Sequence, residues 1–161
     1  MREWLVAGAV IEGPAGVLLV QNRRRNGRQD WTPPGGVIDG GETLLEGLAR
    51  EVTEETGLTV SQWEGPIYEI VAEAPGLGWT LRVEVFRAVE FAGVLRVDDP
   101  DGIVVDARYV AVDECRIHLD GNHPWVVEPL TAWLAQRWEG SRSFAYRIEG
   151  TEAAAMVVTR V

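Results

Sequence analysis

With 161 residues, 46% of them hydrophobic, and a single cysteine, Cys115, the chain suits one globular domain over residues 1–161 and has no internal disulfide. Its net charge of −10 argues against a nucleic-acid polymer as partner, because such binding runs on Lys/Arg–phosphate contacts. No apolar run approaches the ~18 residues that cross a bilayer, and the apolar stretch Trp4–Ile11 is too short for a secretory signal, so a cytoplasmic protein without a membrane partner is expected.

In chain order, Glu3–Ile11 and Gly16–Asn22 read as strands joined by a hairpin-like turn, Gly13-Pro14-Ala15-Gly16. A basic loop follows, Arg23-Arg24-Arg25-Asn26-Gly27-Arg28. Then comes Trp31-Thr32-Pro33-Pro34-Gly35-Gly36, which its two prolines hold extended. A helix is predicted from about Thr43 to Thr56, with Leu45, Leu48, Ala49 and Val52 on one apolar face and Gly57 as its C-terminal cap. Leu58–Val71 and Trp79–Phe91 read as strands, Asp98-Asp99-Pro100-Asp101-Gly102 as a turn-rich loop, and Ile103–Val112 as another strand. A second helix is predicted over Glu128–Trp138 with Pro129 at its first position, where a missing N–H costs nothing. The tail carries two short strands, Phe144–Ile148 and Ala154–Val161, which either complete the sheet or pair with a second copy in a homodimer. This order predicts a mixed β-sheet flanked by helices, α/β or α+β.

The chemistry is concentrated between Gly36 and Leu58. Glu51 and Glu55 lie one turn apart on one helix face, with Glu54 beside them. Like charges at that spacing destabilise an isolated helix. As hard oxygen donors on a rigid element, they suit a divalent cation such as Mg²⁺. Such a cation also reconciles an acidic protein with an anionic ligand. The bland alternative is a solvated acidic face in which Glu46 and Arg50 form an i,i+4 pair.

The spacing of Gly36, Glu42, Arg50, Glu51, Val52, Glu54, Glu55, Gly57 and Leu58 resembles the signature of the Nudix hydrolase (MutT-like) family, G-x5-E-x7-R-E-U-x-E-E-x-G-U with U aliphatic. It agrees at all nine constrained positions. From average residue usage, a chance match in such a chain is on the order of 10⁻⁷ to 10⁻⁸. The resemblance implies the family's α/β/α sandwich and a pyrophosphohydrolase that uses Mg²⁺, or Mn²⁺ in its place, to cleave the diphosphate linkage of a small nucleotide. It further implies that Glu51, Glu54 and Glu55 bind metal with the Gly35 carbonyl, and that Arg50, with Glu42, holds the glutamates. Gly36 and Gly57 shape the two ends of the loop–helix–loop. Glu51 is the first choice of base, with Asp98, Asp99 and Asp101 as loop alternatives that also suit turns. A catalytically silent nucleotide sensor of the same fold is the competing class.

The substrate side carries less signal. Arg23, Arg24, Arg25 and Arg28 stand near the phosphate-binding entry, and Tyr68, Trp79 and Trp125 offer flat surfaces for a base. Asn122 precedes the late helix, where some family members read the base. His118 and His123 show no metal-ligand spacing and are expected at the surface. Nucleoside triphosphates, damaged ones included, are favoured slightly over ADP-ribose-like compounds.

Overall fold

A computed structural model describes residues 1–161. Its elements are β1 (Arg2–Val10), β2 (Glu12–Gly13), β3 (Gly16–Arg23), β4 (Gln29–Thr32), β5 (Gly35–Val37), α1 (Leu44–Thr56), β6 (Thr59–Ala74), β7 (Trp79–Ala92), β8 (Val104–Val110), α2 (Cys115–Leu119), α3 (Pro124–Gln136), β9 (Arg142–Glu149) and β10 (Val157–Arg160). Six strands form a mixed sheet in the order β10-β9-β6-β7-β1-β5. A smaller sheet is built around β3, which pairs with β2, β4 and β8. The two tail strands thus join the main sheet of their own chain, β9 lying parallel to β6.

Two cores explain why the first strands are apolar without alternation. Successive side chains of a strand point to opposite faces. In β1 and the residue after it, Ala7, Ala9 and Ile11 enter a core beneath α1, whereas Val10 enters a second core beneath α2 and α3. β3 divides likewise, Leu18 facing α1 while Val17 and Leu19 face the other helices. Helices therefore cover both faces, the expected sandwich. Ala7–Ile11 is fully buried because neither side of that strand is left for polar residues. The first two long strands do not make a hairpin: β1 pairs with β7 and β5, and the Gly13–Gly16 turn closes only the short β2–β3 pair.

The Thr43 hydroxyl accepts the Glu46 N–H at 3.2 Å and starts α1. The buried side is Leu44, Leu48, Val52 and Glu55, turned from the predicted one, so that Leu45 is 39% exposed. Gly57 ends the helix in the left-handed region at φ 79°. Loop N–H groups take up further end carbonyls, Arg96 to Thr56 at 2.8 Å and Asp98 to Glu54 at 3.1 Å. Gly57→Ala is expected to lower the thermal midpoint by several degrees. A left-handed alanine costs roughly 1–2 kcal/mol, its Cβ would stand 2.6 Å from the Val94 carbonyl oxygen, and each kcal/mol shifts a chain this size by about 2–4 °C. Calorimetry of the two proteins checks this.

The late helix departs from its predicted start. It begins at Pro124, not Glu128, and Pro129 is an interior residue. Pro124 takes the N1 position that suits proline, and the apolar Trp125, Leu130, Trp133 and Leu134 are buried against the sheet. That burial offsets the hydrogen bond Pro129 cannot donate. α2 is only five residues long, too short for an apolar period to mark it in the sequence. No helix is long and apolar enough to cross a membrane.

Candidate active site

The loop before α1 and its inward face meet at the edge of the main sheet. Gly35 and Gly36 pair with Gly8 and Ala7 of β1. Backbone bonds from Ala9 to Pro34 and from Ile38 to Leu5 put Gly35 at a position that the ladder skips. Its N–H instead donates to Glu55 Oε1 at 2.8 Å, and its carbonyl is not taken up by β1. At Gly35 an added Cβ would strike backbone, and at Gly36 it would crowd the end of the Glu51 side chain. A Cβ on Gly35 would stand 2.1 Å from the Ala7 carbonyl oxygen, and one on Gly36 would stand 2.7 Å from Glu51 Cδ.

Arg50 is the hub of the carboxylates. Its Nε and Nη2 grip Glu42 at 2.8 and 2.9 Å, while Nη1 donates to Glu51 at 3.2 Å and to Glu54 at 3.3 Å. Asp39, which the sequence reading did not single out, accepts from Nη2 at 3.3 Å. No pair with Glu46 forms. The bond to Arg50 holds the Glu42 carboxyl below its ordinary range and strengthens the arginine's hold on its own proton. Deeper in, burial pushes Glu51 up to about 6 against the pull of Arg50, with Glu54 and Asp101 adding to the rise. Glu55 is 6% exposed. Burial takes it to about 8, despite the Gly35 N–H, with Glu51, Asp99 and Glu54 repelling its charged form.

These carboxylates do not form a ready-made three-ligand cluster: Arg50 bridges Glu51 and Glu54, and Glu55 is bound to the Gly35 N–H. The donor set nevertheless fits a hard divalent cation. It comprises oxygen atoms only, and burial together with neighbouring carboxylates raises the proton affinity of Glu51 and Glu55.

Two clefts meet at the glycines. The acidic one, about 490 Å³, is lined by Glu51, Glu54, Arg50, Asp39 and Asp101. Glu55 lies beneath it, bound to Gly35. Of the loop carboxylates, Asp101 faces this cleft, whereas Asp99 accepts the N–H groups of Asp101, Ile103 and Val104 and stabilises its own turn. The second cleft, about 240 Å³, is mostly apolar, with Tyr68, Ile70, Leu81, Val83, Val85 and Trp125 among its walls. Trp79 stands behind it, edge-on to Trp125.

Of the four arginines of the basic loop, Arg24 alone reaches the clefts. Arg28 donates to the Gly121 carbonyl at 2.9 Å, and Arg23 and Arg25 are exposed. Asn122 lines neither cleft: its amide donates to the carbonyls of Trp31 and Leu119 at 2.7 and 3.2 Å and ties two loops together. Neither histidine is fully exposed: His118 is half-buried and stands edge-on to Trp31 at 5.7 Å, and His123 is half-buried and stacks on Trp125 at 4.2 Å. Asn22 and Asp30, both buried, were overlooked. Their signal was a polar side chain set in an otherwise apolar strand and a carboxylate next to a basic run.

The loop before α1, the acidic face of α1 and the loop after it stand together on the edge of a helix-covered mixed sheet. The model of the NUDIX domain matches residues 3–134, and the chain belongs to that family. It is 50% identical over 80 residues to the human "8-oxo-dGDP phosphatase NUDT18", a match that covers 50% of this chain and 23% of that protein. It is 34% identical over 89 residues to the zebrafish (Danio rerio) "oxidized purine nucleoside triphosphate hydrolase", covering 55% of this chain and 56% of that protein. The mouse and human phosphatases and a Caenorhabditis elegans Nudix relative match over only 20–23% of their own length. Among solved structures, the MutT protein of Bacillus halodurans superposes with a TM-score of 0.66 at 23% identity, over 96% of this chain and 97% of that one. The Escherichia coli ORF135 protein superposes at 0.69 and 20% identity, over 86% and 96%. Both likenesses are of fold.

Proposed function

We propose that this protein is a divalent-cation-dependent pyrophosphohydrolase acting on nucleoside triphosphates and diphosphates, with oxidised purines as the preferred bases. The observation that carries the reading is the junction of an acidic cleft with an apolar one across two glycines. A nucleotide has the same two halves. The apolar cleft suits the base, and the names of the human and zebrafish relatives point to oxidised purines.

Glu51, Glu54, Glu55 and the Gly35 carbonyl would hold the cation, magnesium or manganese. Such an ion neutralises phosphate charge and makes water more acidic. Water attacks phosphorus, the anhydride P–O bond breaks, and a nucleoside monophosphate leaves with phosphate or the remaining group as co-product. Glu51 would take the water's proton on its carboxylate. Arg50 fixes Glu51 and Glu54 against their mutual repulsion, and Glu42 fixes Arg50. Arg24, which lines the acidic cleft, would meet the phosphate chain. Arg23 and Arg28 stand further out and would act through charge alone, screened by salt.

A panel of about thirty nucleotides, assayed with Mg²⁺ and after chelation, tests the proposal. Activity should be confined to nucleoside di- and triphosphates and vanish on chelation. Turnover that persists in chelator, or a panel with no substrate, would overturn it.

A further inference from the structure

Four residues line both clefts: Asn22, Arg24, Gly35 and Gly36. Only the first two bring polar side chains to the junction. Asn22, on β3, is 6% exposed. Its amide nitrogen donates to Asp30 Oδ1 at 3.0 Å and to Thr32 Oγ1 at 2.9 Å, which uses both of its hydrogens. Asp30, on β4, is itself buried and gripped by Arg24, Nε to Oδ2 at 2.8 Å and Nη2 to Oδ1 at 2.9 Å. A carboxylate held in an arginine fork accepts only, so the amide of Asn22 must turn its NH₂ toward Asp30. The carbonyl, Oδ1, is thereby fixed on the other side and accepts no hydrogen bond from the protein. The side-chain polar atom sealed from solvent without a partner is Trp133 Nε1, not Asn22 Oδ1. Asn22 Oδ1 therefore opens into the space where the clefts join.

We infer that Asn22 Oδ1 accepts a hydrogen bond from a sugar hydroxyl of the substrate, with Asp30 as the positioning residue that fixes the amide's orientation. This rests on the reading that the apolar cleft holds the base and the acidic cleft the phosphates. The unit that connects base to phosphate is the sugar, and its hydroxyls are its donors. A site that hydrogen-bonds a hydroxyl discriminates against an analogue that lacks it, because the buried acceptor is then left unpaired. Arg24 keeps Nη1 uncommitted after its grip on Asp30, and it lies on the same wall for the neighbouring phosphate.

The test compares 8-oxo-dGTP with its 2′,3′-dideoxy analogue for turnover, and the two corresponding nucleoside monophosphates for binding by calorimetry. The unmodified protein should favour the hydroxylated compound by at least about tenfold in kcat/KM and in affinity. Asn22→Ala should reduce that preference below threefold. Asp30→Asn, which acts only through Asn22 and Arg24, should do the same and raise KM more than it lowers kcat. Should either variant fail to fold, the preference of the unmodified protein still decides. Equal handling of both compounds by the unmodified protein overturns the inference, as does a preference that survives in Asn22→Ala. Turnover without sugar discrimination overturns this inference and leaves the hydrolase reading standing; discrimination in binding without turnover supports the inference and removes the hydrolase reading. Absence of binding by the hydroxylated monophosphate overturns the inference.

Discussion

Glu54→Gln and Glu55→Gln are each expected to lower kcat by at least ~10²-fold, the range in which loss of one electrostatic stabiliser falls, while the fold is kept. The two substitutions act differently. Glutamine at 55 can still accept the Gly35 N–H through its amide oxygen, so the 2.8 Å tie to the loop survives and only the charge is lost. Because burial strongly disfavours that charge in the free protein, Glu55→Gln should leave the melting temperature unchanged or raise it. Glutamine at 54 weakens one of the contacts to Arg50, which keeps its stronger grip on Glu42. Glu46→Gln is the control: Glu46 is exposed, makes no ion pair, and contributes to the helix start through its backbone N–H. Steady-state kinetics on the best substrate of the panel separates the cases. Equal losses at 46, 54 and 55 would mean that helix charge matters only in bulk, and would sink the assignment of one catalytic face.

What was legible in the sequence is what is local along the chain. α1 could be placed within a residue because its apolar period, Thr43 and Gly57 all lie within one short segment. The glutamates on it inherit their arrangement from the same 3.6-residue period. Even there the wheel was turned by one position: Leu44 packs and Leu45 does not, because a face about 100° wide leaves two neighbours equally eligible until the sheet selects one. The apolar cleft was legible only in two of its wall residues, Tyr68 and Trp125, and not as a cleft. It is assembled from β1, β3, β6, β7 and α3, whose adjacency is a matter of strand order and not of spacing. The same holds for the basic loop. Four arginines look equivalent in sequence, and only the β3–β4 pairing, which sets Asp30 opposite Asn22, selects Arg24. Pro129 misled for a related reason. Proline marks a helix start by its local geometry, but tertiary burial of the apolar residues around it carries α3 through that position.

Gly36→Ala should likewise separate stability from activity. The added methyl would stand 2.7 Å from Glu51 Cδ and within 3.0 Å of both carboxylate oxygens. Its close neighbours are thus the far end of a flexible side chain, which can swing aside for a fraction of a rotamer's energy, about 0.5–1.5 kcal/mol. The backbone at Gly36 is not in the left-handed region, so alanine adds no strain of that kind. The thermal midpoint should therefore move by only a few degrees. Activity is a different matter, because the displaced group is the proposed proton acceptor. A shift of about 1 Å at a reacting group costs on the order of 10²-fold, and kcat should fall by about that factor with little change in KM. Glu51→Asp withdraws the carboxylate by one methylene and leaves room for the methyl. Combined with Gly36→Ala, it should lose less than the product of the two single losses, since both changes act on the same contact. Gly36→Ala with kcat within about twofold of the parent would show that the position of Glu51 above Gly36 is not needed for turnover. Strict multiplication of the two single losses would show that the two residues do not share the contact on which the prediction depends.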